Sequence, residues 1–194
     1  MKWFSVLLMI FGLLWVSLGN YYFWNKDRSE NLSFDSYPVK SISIETGVQP
    51  QENKSLPVQI TISDLNIDLP IIPAKIENQI WETTHAGVSY LVSSPIPGKT
   101  GNSIVYGHNW TKLFGNLVNA KSGQDIEISY ADGSQKRFII KSTSIVDPTD
   151  SSVLTESNDQ KITLYTCTGF LDSKRFVVAA YLDKNPSFAD VRKW

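Results

Sequence analysis

The only cysteine of this 194-residue chain, Cys167, sits in Ile162-Thr163-Leu164-Tyr165-Thr166-Cys167-Thr168-Gly169, where an apolar run gives way to a loop. By residue type it is either a small buried hydrophobe or a nucleophile, and the second role needs a partner that takes its proton or stabilises the thiolate. Two histidines are available. His85 lies in the polar stretch Glu82-Thr83-Thr84-His85-Ala86-Gly87 and reads as solvated. His108 follows the apolar run Ser103-Ile104-Val105-Tyr106 through Gly107, a residue that permits close approach or an unusual turn. Arg175 comes eight residues after Cys167. If the two runs pair as a hairpin, it brings a permanent positive charge to the thiol, where it could hold a carbonyl or the oxyanion of a tetrahedral acyl intermediate. If they do not, it is an exposed strand-end arginine.

These residues need rigid elements to bring them together. From Pro57 onward the chain breaks into short Ile- and Val-rich runs of period two, at 58–63, 66–72, 103–107, 125–130, 136–146, 161–167 and 175–182, with an eighth at 88–91. Period two marks strands, and eight short strands separated by turn residues suit an all-β closed barrel, which leaves few edges exposed. Asp132-Gly133 is a hairpin signal, the segment 94–101 with Pro95, Pro97, Gly98 and Gly101 is a loop, and 110–120 carries short helical turns. Cys167 and His108 at the ends of two barrel strands would share one mouth of the barrel.

Before the barrel, residues 3–24 carry no charge and are flanked by Trp3 and Phe4 at one end and Tyr21, Tyr22, Phe23 and Trp24 at the other. A helix of that length matches a bilayer's hydrocarbon core, and the aromatics fall at its interfaces, so residues 1–24 are read as a transmembrane signal anchor. The alternative is a cleaved leader, with Ser17 and Gly19 as small residues near the cut. Residues 25–56 are polar, of mixed charge and punctuated by Pro38, Gly47 and Pro50. They form a stalk, with one short strand considered over 39–44. Residues 57–194 make the barrel domain. With 18 Lys+Arg against 19 Asp+Glu and no basic stripe, the chain is not built for nucleic acid. One cysteine and two histidines exclude a disulfide scaffold and a closed structural zinc site.

Thr163-Leu164-Tyr165-Thr166-Cys167 matches the T-L-x-T-C signature of sortases, the cysteine transpeptidases of bacterial cell surfaces. Val105-Tyr106-Gly107-His108-Asn109 resembles the strand end bearing that family's histidine, Arg175-Phe176-Val177-Val178 the strand bearing its arginine, and Ile60, Ile62, Leu65, Ile67 and Pro70 its opening strands. Pro97-Gly98-Lys99-Thr100-Gly101-Asn102 before the histidine strand is similar as well. The resemblance covers roughly 57–183. It implies a membrane-anchored enzyme outside the cytoplasm, with Cys167 as nucleophile, His108 as acid and base, Arg175 stabilising the oxyanion, and Thr166 lining the scissile site. It further implies that Val153 and Leu154, in a segment similar to the housekeeping branch's pocket (Val146 to Leu154), grip apolar substrate residues. The implied partners are secreted proteins bearing a C-terminal sorting signal and a surface amine such as a peptidoglycan precursor, joined through a thioacyl enzyme with no cofactor. Some members bind calcium through carboxylates before the histidine strand. Here 91–102 contains no Asp or Glu, so no metal is expected. Residues 25–56 lack the aspartate-proline-aromatic lid of pilus-assembling sortases, and 185–194 is short and polar, which leans toward the housekeeping branch. A thiol hydrolase of the same substrates and a non-catalytic β-barrel binding domain are the rival readings.

Overall fold

Eight of the strands close on themselves, and their alternating side chains explain why. The computed structural model describes residues 2–26, 56–77 and 80–184. Helix α1 spans Lys2–Lys26, and its side chains from Leu8 to Tyr21 are exposed. Among the described residues no helix is both long and apolar enough to cross a membrane. The stalk expected over 25–56, apart from its first two residues and Leu56, lies outside the described residues, as do 185–194.

The strands are β1 (Pro57–Ile62), β2 (Ile67–Ala74), β3 (Ile76–Glu77), β4 (Ile80–Trp81), β5 (Val88–Leu91), β6 (Gly101–Gly107), β7 (Asp125–Tyr130), β8 (Gln135–Val146), β9 (Gln160–Thr168) and β10 (Lys174–Leu182). The barrel runs β1-β2-β5-β6-β9-β10-β8-β7 and back to β1, while β3 and β4 form a separate two-stranded ribbon. All eight barrel strands match the runs read from the sequence. The helical turns expected over 110–120 appear as a 3-10 segment, Phe114–Asn119. The β7–β8 turn contains Gly133 at φ +81°, a left-handed conformation that glycine adopts without a Cβ clash, and its N–H donates to Tyr130 O at 2.9 Å.

Inward-pointing residues such as Ile60, Ile128, Phe138, Ile140, Leu164 and Val178 are fully buried and fill the barrel. The opposite parity of β6, β9 and β10 does not meet solvent. Ile104, Tyr106, Tyr165, Cys167 and Val177 form a second buried cluster on the outer face with Trp81 and Leu154. Trp81, at the end of the β3–β4 ribbon, packs edge-on against Tyr106 (4.7 Å between ring centroids) and stacks on Tyr165 (6.1 Å). The ribbon, whose strands are two residues each, was not foreseen.

Register also fixes which end is which. Arg175 pairs with Val146 and Cys167 at one end of β10, whereas Leu182 pairs with Phe138 at the other. Pro57 pairs with Tyr130, beside the β7–β8 turn, and Asp183 N donates to Arg137 O at 2.9 Å. The chain therefore enters and leaves the barrel at the end remote from Cys167.

Candidate active site

Cys167 lies near the end of β9, which runs parallel to β6 on one side and antiparallel to β10 on the other. On the β10 side Arg175 is its direct register partner. On the β6 side the last pair is Gly107 with Thr166, so His108 continues that strand alongside Cys167. Neighbouring strands are about 4.8 Å apart, and register partners project to the same face. An imidazole-bearing and a guanidinium-bearing position thus flank the thiol from its two neighbouring strands. All three residues are buried. They lie on the outer face of the barrel near one end, not in its mouth, because Cys167 has the parity of Tyr165 and the outer cluster.

Local packing holds each group. A Cβ on Gly107 would sit 3.1 Å from Val88 Cγ1, so this glycine serves a close approach between β6 and β5 and not an unusual turn. The His108 ring stacks on Trp110 at 4.5 Å with an interplanar angle of 11°. Arg175 Nη1 donates to Asp172 O at 2.8 Å and to Lys174 O at 3.0 Å, and the guanidinium also hydrogen-bonds the Tyr165 hydroxyl. Burial pushes the Tyr165 phenol up to about 12, with Arg175 pulling it partly back, so it stays neutral. Burial likewise pushes the Cys167 thiol up to about 11; Arg175 lowers it and the Asp172 carboxylate raises it. Desolvation thus favours the neutral thiol over the thiolate.

Thr166 differs from the sequence-based expectation. It is fully buried, and its hydroxyl donates to Gly107 O at 2.8 Å, on the face opposite Cys167. It fastens β9 to the histidine strand instead of lining the face that carries the thiol. Leu154 is buried in the same cluster as Cys167, with Val153 packed against it. Their loop is anchored by the buried Asn102, whose Nδ2 donates to Val153 O (3.3 Å) and Thr155 O (3.0 Å) while its Oδ1 accepts from Thr163 Oγ1 at 2.6 Å.

His85 is exposed, as the sequence suggested, yet it is not remote. Its ring lies 5.7 Å from that of His108 and 4.9 Å from that of Trp110. Trp81, Trp110 and Asp172 also belong to the site's surroundings and were not singled out from the sequence, because nothing in their spacing links them to Cys167. Among the described residues no group of three or more His, Cys, Asp or Glu side chains could hold a metal ion.

A thiol between an imidazole and a guanidinium can attack a carbonyl, pass its proton to the imidazole and leave the developing oxyanion to the fixed cation. The Sortase domain family model matches residues 60–183. Sortase A of Streptococcus agalactiae is 30% identical over 183 residues, covering 84% of this chain and 69% of the relative. Sortase A of Listeria monocytogenes is 24% identical over 165 residues, covering 82% and 72%. The solved structure of a lid mutant of sortase A from Corynebacterium diphtheriae superposes with a TM-score of 0.58 at 28% identity, over 72% of this chain and 76% of that one. The barrel, its thiol and these likenesses converge: the chain belongs to the sortase family and is a cysteine transpeptidase.

Proposed function

We propose that Cys167, His108 and Arg175 are the catalytic groups, and that they act on a C-terminal sorting signal of secreted proteins. The observation that carries this reading is the strand arrangement: the thiol on a central strand, with the other two groups on its two neighbours. Burial favours the neutral thiol, so its proton leaves as the sulfur–carbon bond forms, and His108 is the base beside it. The C–N bond then breaks, His108 returns the proton to the leaving amine, and a thioacyl enzyme remains. A surface amine, such as one on a peptidoglycan precursor, attacks the thioester, forms the new amide and releases the thiol. The acyl bond energy is retained throughout, so no cofactor is needed. Arg175 stabilises the oxyanion in both halves.

Val153 and Leu154 grip apolar residues of the signal, a role supported by their packing in the cluster that contains Cys167. Residues 1–24 anchor the chain in the cell membrane with the barrel outside the cytoplasm. The support is the uncharged stretch 3–24, whose 22 residues match the about 20 that a span needs. The lack of a lid tripeptide in 25–56 favours a housekeeping role over pilus assembly.

The test is intact-mass analysis of the protein mixed with a sorting-signal peptide, with and without an amine such as triglycine. A thioacyl adduct present in the wild type and absent in Cys167→Ala, resolved into an amide product by the amine, supports the reading. Product lacking the amine even at high amine concentration would replace transpeptidation of this peptide by hydrolysis.

A further inference from the structure

We propose that Asp172 is a positioning residue that ties the histidine side of the site to the arginine side across the thiol. Its carboxylate Oδ1 accepts from Asn109 Nδ2 at 2.5 Å, and Asn109 is the residue after His108. Its backbone carbonyl accepts from Arg175 Nη1 at 2.8 Å. One residue of the β9–β10 loop therefore grips both neighbours of β9 at the level of Cys167. The proposal rests on the catalytic assignment above.

The backbone makes this double grip available. Leu171 and Asp172 have φ of +51° and +58°, two consecutive non-glycine residues in the left-handed region. Such a conformation persists where the surroundings over-determine it. Here it is held between two ladders: β10 begins at Lys174, and the Gly169 carbonyl accepts from Asp172 N at 3.3 Å. Asp is among the side chains that tolerate this region, which explains why it and not a β-branched residue stands here. The left-handed turn aims the carbonyl at the guanidinium while leaving the carboxylate to reach Asn109. Asp172 is half-buried, so its bond to Asn109 is sheltered from water more than a surface contact would be. Its negative charge also opposes ionisation of the Cys167 thiol, so its net use is geometric: it places the imidazole and the guanidinium at the cost of a less acidic sulfur.

The experiment is steady-state kinetics of transfer from a sorting-signal peptide to triglycine, with Asp172→Ala, Asn109→Ala, the double variant, Asp172→Asn and Cys167→Ala. Losing a charge-assisted hydrogen bond that orients a catalytic group is expected to lower kcat about tenfold or more in Asp172→Ala, with KM within about threefold of wild type. Asn109→Ala should fall similarly, and the double variant no further, because both remove the same tie. Asp172→Asn keeps an acceptor oxygen for Asn109 and should recover to within about threefold of wild type. Thermal unfolding of each variant separates this outcome from loss of fold, and Asp172→Asn carries the test if Asp172→Ala does not fold. Wild-type kcat in Asp172→Ala, additive losses in the double variant, or an Asp172→Asn enzyme that is folded but as slow as a Cβ truncation would overturn the proposal while Cys167→Ala remains inactive. Full turnover in Cys167→Ala would overturn the catalytic assignment and this proposal with it.

Discussion

Titrating the protein through the range where free thiols ionise should leave Cys167 protonated and slow to alkylate until the pH approaches about 11. The cause is burial: the side chain is 3% exposed, and removing a thiolate from water costs more than Arg175 returns. A rise from the ordinary value of 9.0 to about 11 corresponds to about 3 kcal/mol of preference for the neutral thiol in the folded state. The sign follows from linkage. The folded state holds its proton more tightly than the unfolded chain, so this contribution is complete below about pH 9 and is lost as the pH rises toward about 11. Two measurements check it. Rates of iodoacetamide modification, followed by intact mass, should have a midpoint about two pH units higher for the native protein than for the protein in urea. Urea denaturation of wild type and Cys167→Ala should diverge above about pH 9, the wild type losing stability that the variant keeps. Arg175→Met removes a cation that draws the value down, and should raise the native midpoint further. A native midpoint at or below that in urea would refute the reasoning. It would mean that a thiolate held by its cationic neighbours outweighs desolvation, and that the attack begins from an ion pair.

His108→Ala should lower turnover by about a hundredfold or more, the scale of a lost general acid and base. His85→Ala, which removes a ring 5.7 Å from that of His108 but exposed to solvent, should stay within about tenfold of wild type; equal losses would reassign the acid–base role. Asn102→Ala leaves two carbonyls and the Thr163 hydroxyl without their partner and should destabilise the domain by about 2 kcal/mol or more in urea denaturation, with KM for the peptide rising as the Val153–Leu154 segment loosens. Unchanged stability would mean that water replaces the amide there.

The barrel was legible where a strand alternates a buried apolar face with a more exposed polar one, as in Asp125–Tyr130, and where Asp132-Gly133 announced a turn. The side chain orientations at the site were less legible for a definite reason. The segment 162–167 of β9 is buried without a break, so Ile162 and Leu164 on one face and Tyr165 and Cys167 on the other are all apolar. A strand covered on both faces has no period from which to read parity. The face of each residue therefore had to come from the structure, which puts Cys167 in the outer cluster and turns the Thr166 hydroxyl to Gly107 O. The cover that produces this burial includes Trp81, carried by a ribbon too short to register as a strand pattern. The approach of His85 to Trp110 and His108 spans 23 residues of sequence and depends on how two loops settle, which no local spacing encodes.

The entry and exit of the barrel bear on how the enzyme could be used on a solid support. Leu56 and Asp183 both bond to the barrel at the end defined by the β7–β8 turn and the Leu182–Phe138 pair, whereas Cys167 and Arg175 sit at the other end of β9 and β10. A bead linkage or fusion partner joined at either position would attach behind the thiol, leaving the working end turned outward. The same handle placed in the Phe170–Asp172 loop would sit directly on it.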